Sequence, residues 1–300
     1  MLRYASAHPW SCSKTVFGVL VARFAGCVAL AVALAAPASA QSTSFVFAVT
    51  EGVTYQATPK DIRDKFAPLA EYLGKATGRQ VKVVLVPAYD DLRAGLGKQE
   101  YDLAFVHPAH VAMAAIRAGR YQSIAWTSGY TNYRVSLLIK PDAPLRTLDD
   151  LRGRTVVTPD PDSITAAMVR AMLRTNDLSI TDAKPPPPTA VRVITTRYQD
   201  AVPFYLEHDF AQVGATAAES VVKAWLDHGG KVLTQSRAVP IKQLIASTKM
   251  RADEQDQIRE ALINMSRTKA GRDVLDAVGY KGFVVPNRDV ENAAMTWLGL

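Results

Sequence analysis

Asp160-Pro161-Asp162-Ser163-Ile164-Thr165-Ala166-Ala167 is the stretch of sequence that decides the fold. It lies between the apolar pair Val156-Val157 and the helix-favouring segment from Met168 to Arg174. Proline continues neither a strand ladder nor a helix interior, so a strand is predicted to end here. The side chain of Asp162 or Ser163 can then accept a hydrogen bond from an N–H group of the first helical turn. The stretch therefore predicts a strand–turn–helix unit.

The same turn has the chemistry of an oxyanion site. Its remaining N–H groups, the hydroxyls of Ser163 and Thr165 and the positive end of the helix dipole all favour a negative group. A capped helix that binds no ligand is the alternative interpretation, and the stretch alone leaves both open.

Residues 1–40 read as an export signal rather than as part of a folded core. Basic residues, an apolar run and a small-residue cleavage site occur in the expected order, at Arg3, Lys14 and Arg23, at Phe24 to Ala36, and at Ala38-Ser39-Ala40. We expect the mature chain to begin near Gln41. A transmembrane anchor is the alternative, but the apolar run is shorter than a bilayer requires.

The cysteine content and the net charge exclude some classes of function. Both cysteines, Cys12 and Cys27, lie in the predicted signal, so the mature chain has no disulfide and no thiolate nucleophile. A lipid anchor at Cys27 is less favoured than cleavage after Ala40. Removing the signal lowers the formal charge from +7 to +4. This mild excess suits a small anionic ligand or an ordinary surface, and no dense basic cluster indicates nucleic acid.

Apolar strand patterns alternate with helical patterns along the mature chain, which predicts an α/β fold with mixed, mainly parallel sheets. Ligands of such folds lie beyond the carboxyl ends of strands. That rule selects five loops: Thr50 to Tyr55, His107 to His110, Ser163 to Thr165, Thr196 to Asp200, and Gly214 to Thr216.

Individual elements follow from local signals. Thr58-Pro59 predicts a helix start, with a kink or restart at Pro68. Phe210 to Val213 is predicted to be a strand. The last predicted helix is Ala270 to Val278.

Five further passages carry a family resemblance. They are Phe66-Ala67-Pro68-Leu69-Ala70-Glu71-Tyr72-Leu73, Tyr101-Asp102-Leu103-Ala104-Phe105-Val106, the segment from Thr147 to Val156, and the C-terminal segments Gly271 to Leu275 and Gly279 to Phe283. In this order the chain resembles the phosphate/phosphite/phosphonate-binding periplasmic proteins of ABC importers, which have the type 2 periplasmic-binding fold.

The resemblance implies two α/β lobes that close around one solute. It places residues 41–130 and 238–300 in lobe 1 and residues 131–237 in lobe 2, with hinge crossovers near Gly129 to Val135 and Ala238 to Ile241. It also implies a periplasmic location, an ABC permease in the inner membrane as partner, a small oxyanion as ligand, and no cofactor. We expect a monomer.

The resemblance further implies a ligand-binding turn at the opening stretch. The family's Ser-Thr-Ser turn keeps its outer hydroxyls as Ser163 and Thr165, whereas Ile164 replaces the middle one. Asp162 stands where glycine is common. In the next loop Gln199 takes the place of a histidine before Asp200, and Ala211 replaces an acidic residue.

Other side chains in the selected loops are candidate ligand contacts. His107 and His110 could bind a metal, line the pocket or cap a helix, and a pocket role is favoured because no third metal ligand is evident. Tyr55 and Tyr133 could line a cleft, although aromatic side chains are more often packed in a core. Glu51 could accept a hydrogen bond from a ligand, as could Asp200, or either could lie on the solvated surface.

The sequence therefore predicts a periplasmic solute-binding component of an ABC importer. A ligand sensor that docks to a membrane receptor or histidine kinase is the alternative with the same fold. An exported hydrolase is disfavoured, since Ser163 lacks a Gly-x-Ser-x-Gly elbow.

Overall fold

The structure, a computed structural model, describes residues 44–51 and 58–300. The predicted signal and Tyr55 lie outside these residues. The strands are β1 (Phe45–Thr50), β2 (Val81–Leu85), β3 (Leu103–Val106), β4 (Tyr121–Thr127), β5 (Ser136–Ile139), β6 (Thr155–Thr158), β7 (Ser179–Thr181), β8 (Ala190–Thr195), β9 (Val213–Thr216), β10 (Lys231–Gln235), β11 (Gln243–Ser247) and β12 (Phe283–Val284). The helices are α1 (Pro59–Thr77), α2 (Tyr89–Lys98), α3 (Ala109–Arg117), α4 (Ile164–Arg174), α5 (Val202–Glu207), α6 (Glu219–Asp227), α7 (Ala252–Ile263), α8 (Lys269–Val278) and α9 (Arg288–Leu298).

The described strands form two six-stranded sheets, which confirms the predicted α/β fold class. The first sheet has the order β12-β4-β11-β3-β1-β2, and the second has the order β10-β5-β9-β6-β8-β7. Both sheets mix parallel and antiparallel neighbours. Antiparallel pairs are as prominent as parallel ones because β4, β5, β10 and β11 lie beside the connections between the sheets and run against their neighbours.

The carboxyl ends of the parallel strands lie at one edge of each sheet, where ligands of α/β folds bind. In the first sheet β1 and β3 end together, with Thr50 opposite Val106, and antiparallel β11 begins there at Gln243. In the second sheet β6, β8 and β9 end together. Because β5 is antiparallel to β9, it begins at this same edge, where Ser136 lies opposite Thr216.

Two short segments join these two edges. Residues 128–135 run from the end of β4 to the start of β5, and residues 236–242 return from β10 to β11. The two segments pair through an antiparallel bridge between Tyr133 and Val239. They coincide with the hinge crossovers that the resemblance implies near Gly129 to Val135 and Ala238 to Ile241. The lobe boundaries themselves stay a prediction.

Helix α1 shows how local signals set the elements. Thr58 caps it through a 3.2 Å hydrogen bond from the Asp61 N–H, and the Asp61 carboxylate accepts from Thr58 in return. Gly78 ends the helix in the left-handed conformation, with φ of 66°, as glycine readily does. The predicted restart at Pro68 is wrong, because the helix continues through this residue.

One other expectation about elements is corrected, and several elements were not predicted. The strand predicted at Phe210 to Val213 begins only at Val213, since residues 208–210 still belong to the turn that ends α5. Strand β11 follows the hinge directly and was not predicted. Helix α9 was also missed; it packs against both α3 and α4, and Arg174 donates to the carbonyls of Trp297 and Leu298.

Two large apolar cores hold these elements together. One core joins α4 and α9 to Ala109 and Met113 of α3, and another joins α1, α7 and α8 to the first sheet. No helix in the described ranges has the length and hydropathy needed to cross a membrane.

Candidate functional site

The N-terminus of α4 lies at the edge of the second sheet, as the opening stretch predicts. Ser163 is the capping residue, and its hydroxyl accepts a 3.1 Å hydrogen bond from the Ala166 N–H. A serine that accepts in this way still has its own proton to donate. Ile164 is a core residue, 3% exposed, so only its backbone could face a ligand. The turn therefore offers N–H groups and one hydroxyl proton.

Thr165 is almost fully buried and already engaged. It is 1% exposed, and its hydroxyl lies 3.0 Å from the Tyr133 hydroxyl on the hinge. Burial raises the pKa of Tyr133, so the phenol stays protonated at neutral pH. The pair ties the first turn of α4 to the connection between the sheets.

Gln199 extends this network to the end of β9. Its amide donates to the Tyr133 hydroxyl over 3.3 Å. Its carbonyl oxygen accepts from the Thr216 hydroxyl at 3.1 Å and from the Ala217 N–H at 2.6 Å. The side chain that replaces the family's histidine thus holds Tyr133 in position. The neighbouring Asp200 is exposed.

A cluster of charged and aromatic side chains lies at the edge of the first sheet. Glu51, immediately after β1, accepts from Lys65 at 2.9 Å and from the Tyr280 hydroxyl. Burial alone would raise the pKa of Glu51, but the positive charge of Lys242 and the hydrogen bonds from Tyr280 and Lys65 lower it overall. Glu51 is therefore ionised and serves an internal ion pair. The Lys242 ammonium lies 4.5 Å from the centre of the Tyr130 ring.

The two histidines stand at the start of α3. His107 Nδ1 lies 3.0 Å from the carbonyl oxygen of Ile241 in the hinge return. His110 Nδ1 is buried and has no hydrogen-bond partner among the described residues. Desolvation lowers the pKa of each imidazole to about 4, so both are neutral at neutral pH. No group of three or more metal-ligating side chains occurs in residues 44–51 and 58–300.

An ion pair links helix α2, beside the first sheet, to the turn before α4. Arg93 donates to Asp162 at 2.7 Å and to Asp90 at 2.9 Å. The Arg170 guanidinium donates to the carbonyl of Pro161 at 3.0 Å, on the same turn. Asp162, which stands where the family commonly has glycine, is therefore paired with the Arg93 guanidinium.

The described structure also includes an open cavity of about 600 Å³ beside the hinge. Its lining includes Tyr130, Tyr133 and Arg134 from the connection, with Val222 and Leu226 from α6. Arg134 is exposed and donates to the carbonyl of Ser236 at 3.0 Å.

Sequence reasoning missed Lys65, Arg93 and Lys242. Lys65 and Arg93 lie among other polar residues of predicted helices. The sequence around them does not distinguish them from ordinary exposed cations. Lys242 did carry one, because it stands between the predicted hinge return and the apolar run Leu244 to Ala246.

Solved structures are similar to this fold. XAC2383 from Xanthomonas citri, solved bound to ATP, has a TM-score of 0.72 at 15% identity, covering 86% of this chain and 98% of that one. PhnD1 from Prochlorococcus marinus, solved with methylphosphonate, has a TM-score of 0.59 at 11% identity, covering 85% and 96%. A binding protein component of an ABC phosphonate transporter from Pseudomonas aeruginosa has a TM-score of 0.53 at 16% identity, covering 85% and 94%. At these identities the likeness shows the fold: that of the type 2 periplasmic-binding proteins.

The sequence goes further than the fold. A family model described as "ABC transporter, phosphonate, periplasmic substrate-binding protein" matches residues 52–290. The chain belongs to this family of substrate-binding proteins. No curated protein matches the chain significantly.

Proposed function

We propose that this protein captures a phosphonate, phosphate, phosphite or related small oxyanion between its two sheets and delivers it to an ABC permease. The family match supports the class of protein. The observation that carries the site is the convergence of polar groups on two sheet edges joined by short crossovers. XAC2383 was solved with ATP and PhnD1 with methylphosphonate. Each of these two ligands carries a phosphorus oxyanion.

On the second sheet we assign the ligand to the N-terminus of α4. The N–H groups of the first turn and the proton of Ser163 would donate to the oxyanion, and the helix dipole adds favourable charge. Thr165 and Gln199 would act by holding Tyr133 at the edge of the site. This assignment gives Ile164 a backbone role only.

On the first sheet the N-terminus of α3 and the loop after β1 would complete the site. His110 has an unpartnered Nδ1 at this edge, so a neutral imidazole could exchange a hydrogen bond with the ligand. Tyr55 lies outside the described residues, and we keep it as a proposed ligand contact. Asp200, which is exposed, would contact a ligand only after the sheets approach.

Ligand binding would be coupled to the approach of the two sheets about the hinge. A ligand shifts such an equilibrium only through higher affinity for one state. Contacts from both edges to one anion would supply that difference, because the anion is held from both sides only when the edges approach. The closed form is what a permease would recognise.

The remaining assignments follow from this role. We propose export to the periplasm through cleavage near Ala40, a monomeric binding protein, and no catalytic turnover of the bound solute. The ATP chemistry belongs to the transporter. The sensor alternative is not favoured, because the matching family is one of transport components.

Isothermal titration calorimetry on the protein purified from the periplasm tests the proposal. The full chain would be expressed with its own N-terminal segment, and mass spectrometry of the product would locate the cleavage. Phosphate, phosphite, methylphosphonate and an alkylsulfonate would be titrated in turn. We expect saturable binding of at least one phosphorus oxyanion, recovered unchanged afterwards. No heat and no thermal shift with any of them would overturn the oxyanion assignment.

A further inference from the structure

Lys242 occupies an unusual position at the base of the hinge. It is the residue between the return segment and β11, and it is partly buried. Its ammonium lies 4.5 Å from the centre of the Tyr130 ring and 5.0 Å from that of Tyr280. It also donates to the Tyr280 hydroxyl over 3.4 Å. Aromatic faces hold a cation in place but do not neutralise its charge.

The charges around Lys242 do not balance. Within the described ranges no carboxylate comes within ion-pair distance of its ammonium, and the carboxylate that acts on it electrostatically is Glu51. Glu51 already accepts from Lys65 at 2.9 Å. One carboxylate therefore faces two ammonium groups. His107, the nearby imidazole, is neutral at neutral pH, since desolvation lowers its pKa to about 4.

The residues outside the described ranges cannot supply the missing negative charge, whatever their position. Residues 52–57, which follow Glu51, contain no aspartate or glutamate, and neither do residues 1–43. Desolvation lowers the pKa of Lys242 overall; the charge of Glu51 raises it in part, and the charge of Lys65 lowers it by less. Burying a cation without a counter-ion costs free energy of desolvation. A lysine at this position therefore indicates a function that offsets this cost.

The cations beside the N-terminus of α4 already face carboxylates. At the turn before α4, Arg93 is paired with Asp162 and Asp90. Arg170 faces the same Asp162, and Asp160 lies two residues earlier. The turn before α4 therefore offers hydrogen-bond donors but no surplus charge.

We propose that Lys242 supplies the formal positive charge of the ligand site and pairs directly with the anionic group of the solute. This inference rests on the proposed function and names the residue that selects for negative charge. Tyr130 and Tyr280 hold the ammonium from their ring faces, which leaves its remaining protons for the ligand. The α4 N-terminus would add uncharged donors from the opposite edge. An electroneutral solute of the same size would then be excluded, because it leaves Lys242 uncompensated.

The test compares Lys242→Met with wild type and with Lys249→Met, which removes an exposed lysine two residues beyond β11. Titration with the best oxyanion of the wild-type panel should show affinity about 10- to 100-fold lower for Lys242→Met and unchanged for Lys249→Met. The melting temperature of ligand-free Lys242→Met should equal or exceed that of wild type, since an uncompensated charge has been removed. Lys242→Arg keeps the charge and should retain more affinity than Lys242→Met.

The outcomes separate the two proposals. Equal affinity of wild type and Lys242→Met would overturn the role of Lys242 and leave the proposed function standing. Loss of stability in ligand-free Lys242→Met together with loss of binding would also overturn it, because a structural role predicts both. A wild-type protein that binds none of the oxyanions would overturn the proposed function and this inference together.

Discussion

Arg93 Nη2 lies 2.7 Å from Asp162 Oδ1, and this ion pair joins helix α2 beside the first sheet to the turn that opens α4 in the second. Both side chains are substantially exposed, at 40% and 51%. Exposed pairs contribute about 0–1 kcal/mol to stability. A contribution of that size hardly affects unfolding, but it is enough to bias an equilibrium between open and closed arrangements of the sheets.

Asp162→Asn should therefore open the protein without destabilising it. We expect a larger radius of gyration in small-angle X-ray scattering of the ligand-free protein and little change in melting temperature. Asp90→Asn is the matched control, because it removes the other carboxylate of Arg93 and leaves the pair between the sheets. An equal radius of gyration in wild type and Asp162→Asn would contradict a role of the Arg93–Asp162 ion pair in holding the two sheets together.

Ser163 can be tested for its two roles separately. Ser163→Ala loses the cap and the donor, so unfolding free energy should fall by about 1 kcal/mol and binding should weaken by about 1–3 kcal/mol. Ser163→Asp keeps a capping oxygen but places a negative charge against the ligand. We expect near wild-type stability with loss of oxyanion binding. Retained binding in Ser163→Asp would locate the anion elsewhere.

Thr165 and Tyr133 should act as one unit. Thr165→Ala and Tyr133→Phe each remove the 3.0 Å hydrogen bond between their hydroxyls. Each should weaken oxyanion binding by about 1–3 kcal/mol, and the double variant by little more than either one. Calorimetric titration of the three variants measures this coupling. Fully additive losses would mean that Thr165 contacts the ligand independently of Tyr133.

Glu51→Gln should destabilise the protein, in contrast to Lys242→Met. It leaves Lys65 and Lys242 without their common carboxylate, at a cost of about 3 kcal/mol. The pKa of Glu51 is lowered in the folded state, so its contribution is present above the unfolded pKa and is lost as pH falls through the folded value. Chemical denaturation should thus show the largest difference at neutral pH. A difference that grows below pH 4.5 would contradict this sign.

The two histidines should make the fold acid-sensitive. Desolvation lowers the pKa of His107 and His110 from 6.5 to about 4. Between these two pH values the imidazoles are mostly protonated in the unfolded chain and mostly neutral in the folded chain. Stability is then fully present above pH 6.5 and falls as pH drops towards 4. His110→Asn should take up about one proton fewer on unfolding near pH 5. Urea denaturation across this pH range measures the difference, and an unchanged slope would contradict it.

Local sequence signals predicted much of the fold because the deciding interactions are close in sequence. Ser163 caps α4 and Thr58 caps α1 through side chains within three residues of their partners. Strand β6 matches its prediction because prolines bound it on one side. The strand predicted at Phe210 fails for a local reason, because the N–H groups of Phe210 and Ala211 donate to the Tyr205 carbonyl and prolong the turn after α5. The position of the missed helix α9 depends on packing instead. Arg174 and α3 determine where α9 lies, and both are distant in sequence.

The site was harder to predict, since its chemistry depends on which charges are already paired. The sequence made Glu51 a possible ligand contact, but Lys65 and Tyr280 engage it, and Tyr280 lies far along the chain. It gave Gln199 as a substitute for a ligand-binding histidine, whereas the folded side chain supports Tyr133. Lys242 becomes significant only when the balance of charge around it can be counted.

A crystal structure of the complex with methylphosphonate tests the central claim most directly. We predict the phosphonate between the two sheet edges, with oxygens about 2.7–3.2 Å from N–H groups of the first turn of α4 and from Lys242 Nζ. A phosphonate bound instead in the cavity lined by Tyr130, Val222 and Leu226, away from Lys242 and α4, would contradict the account.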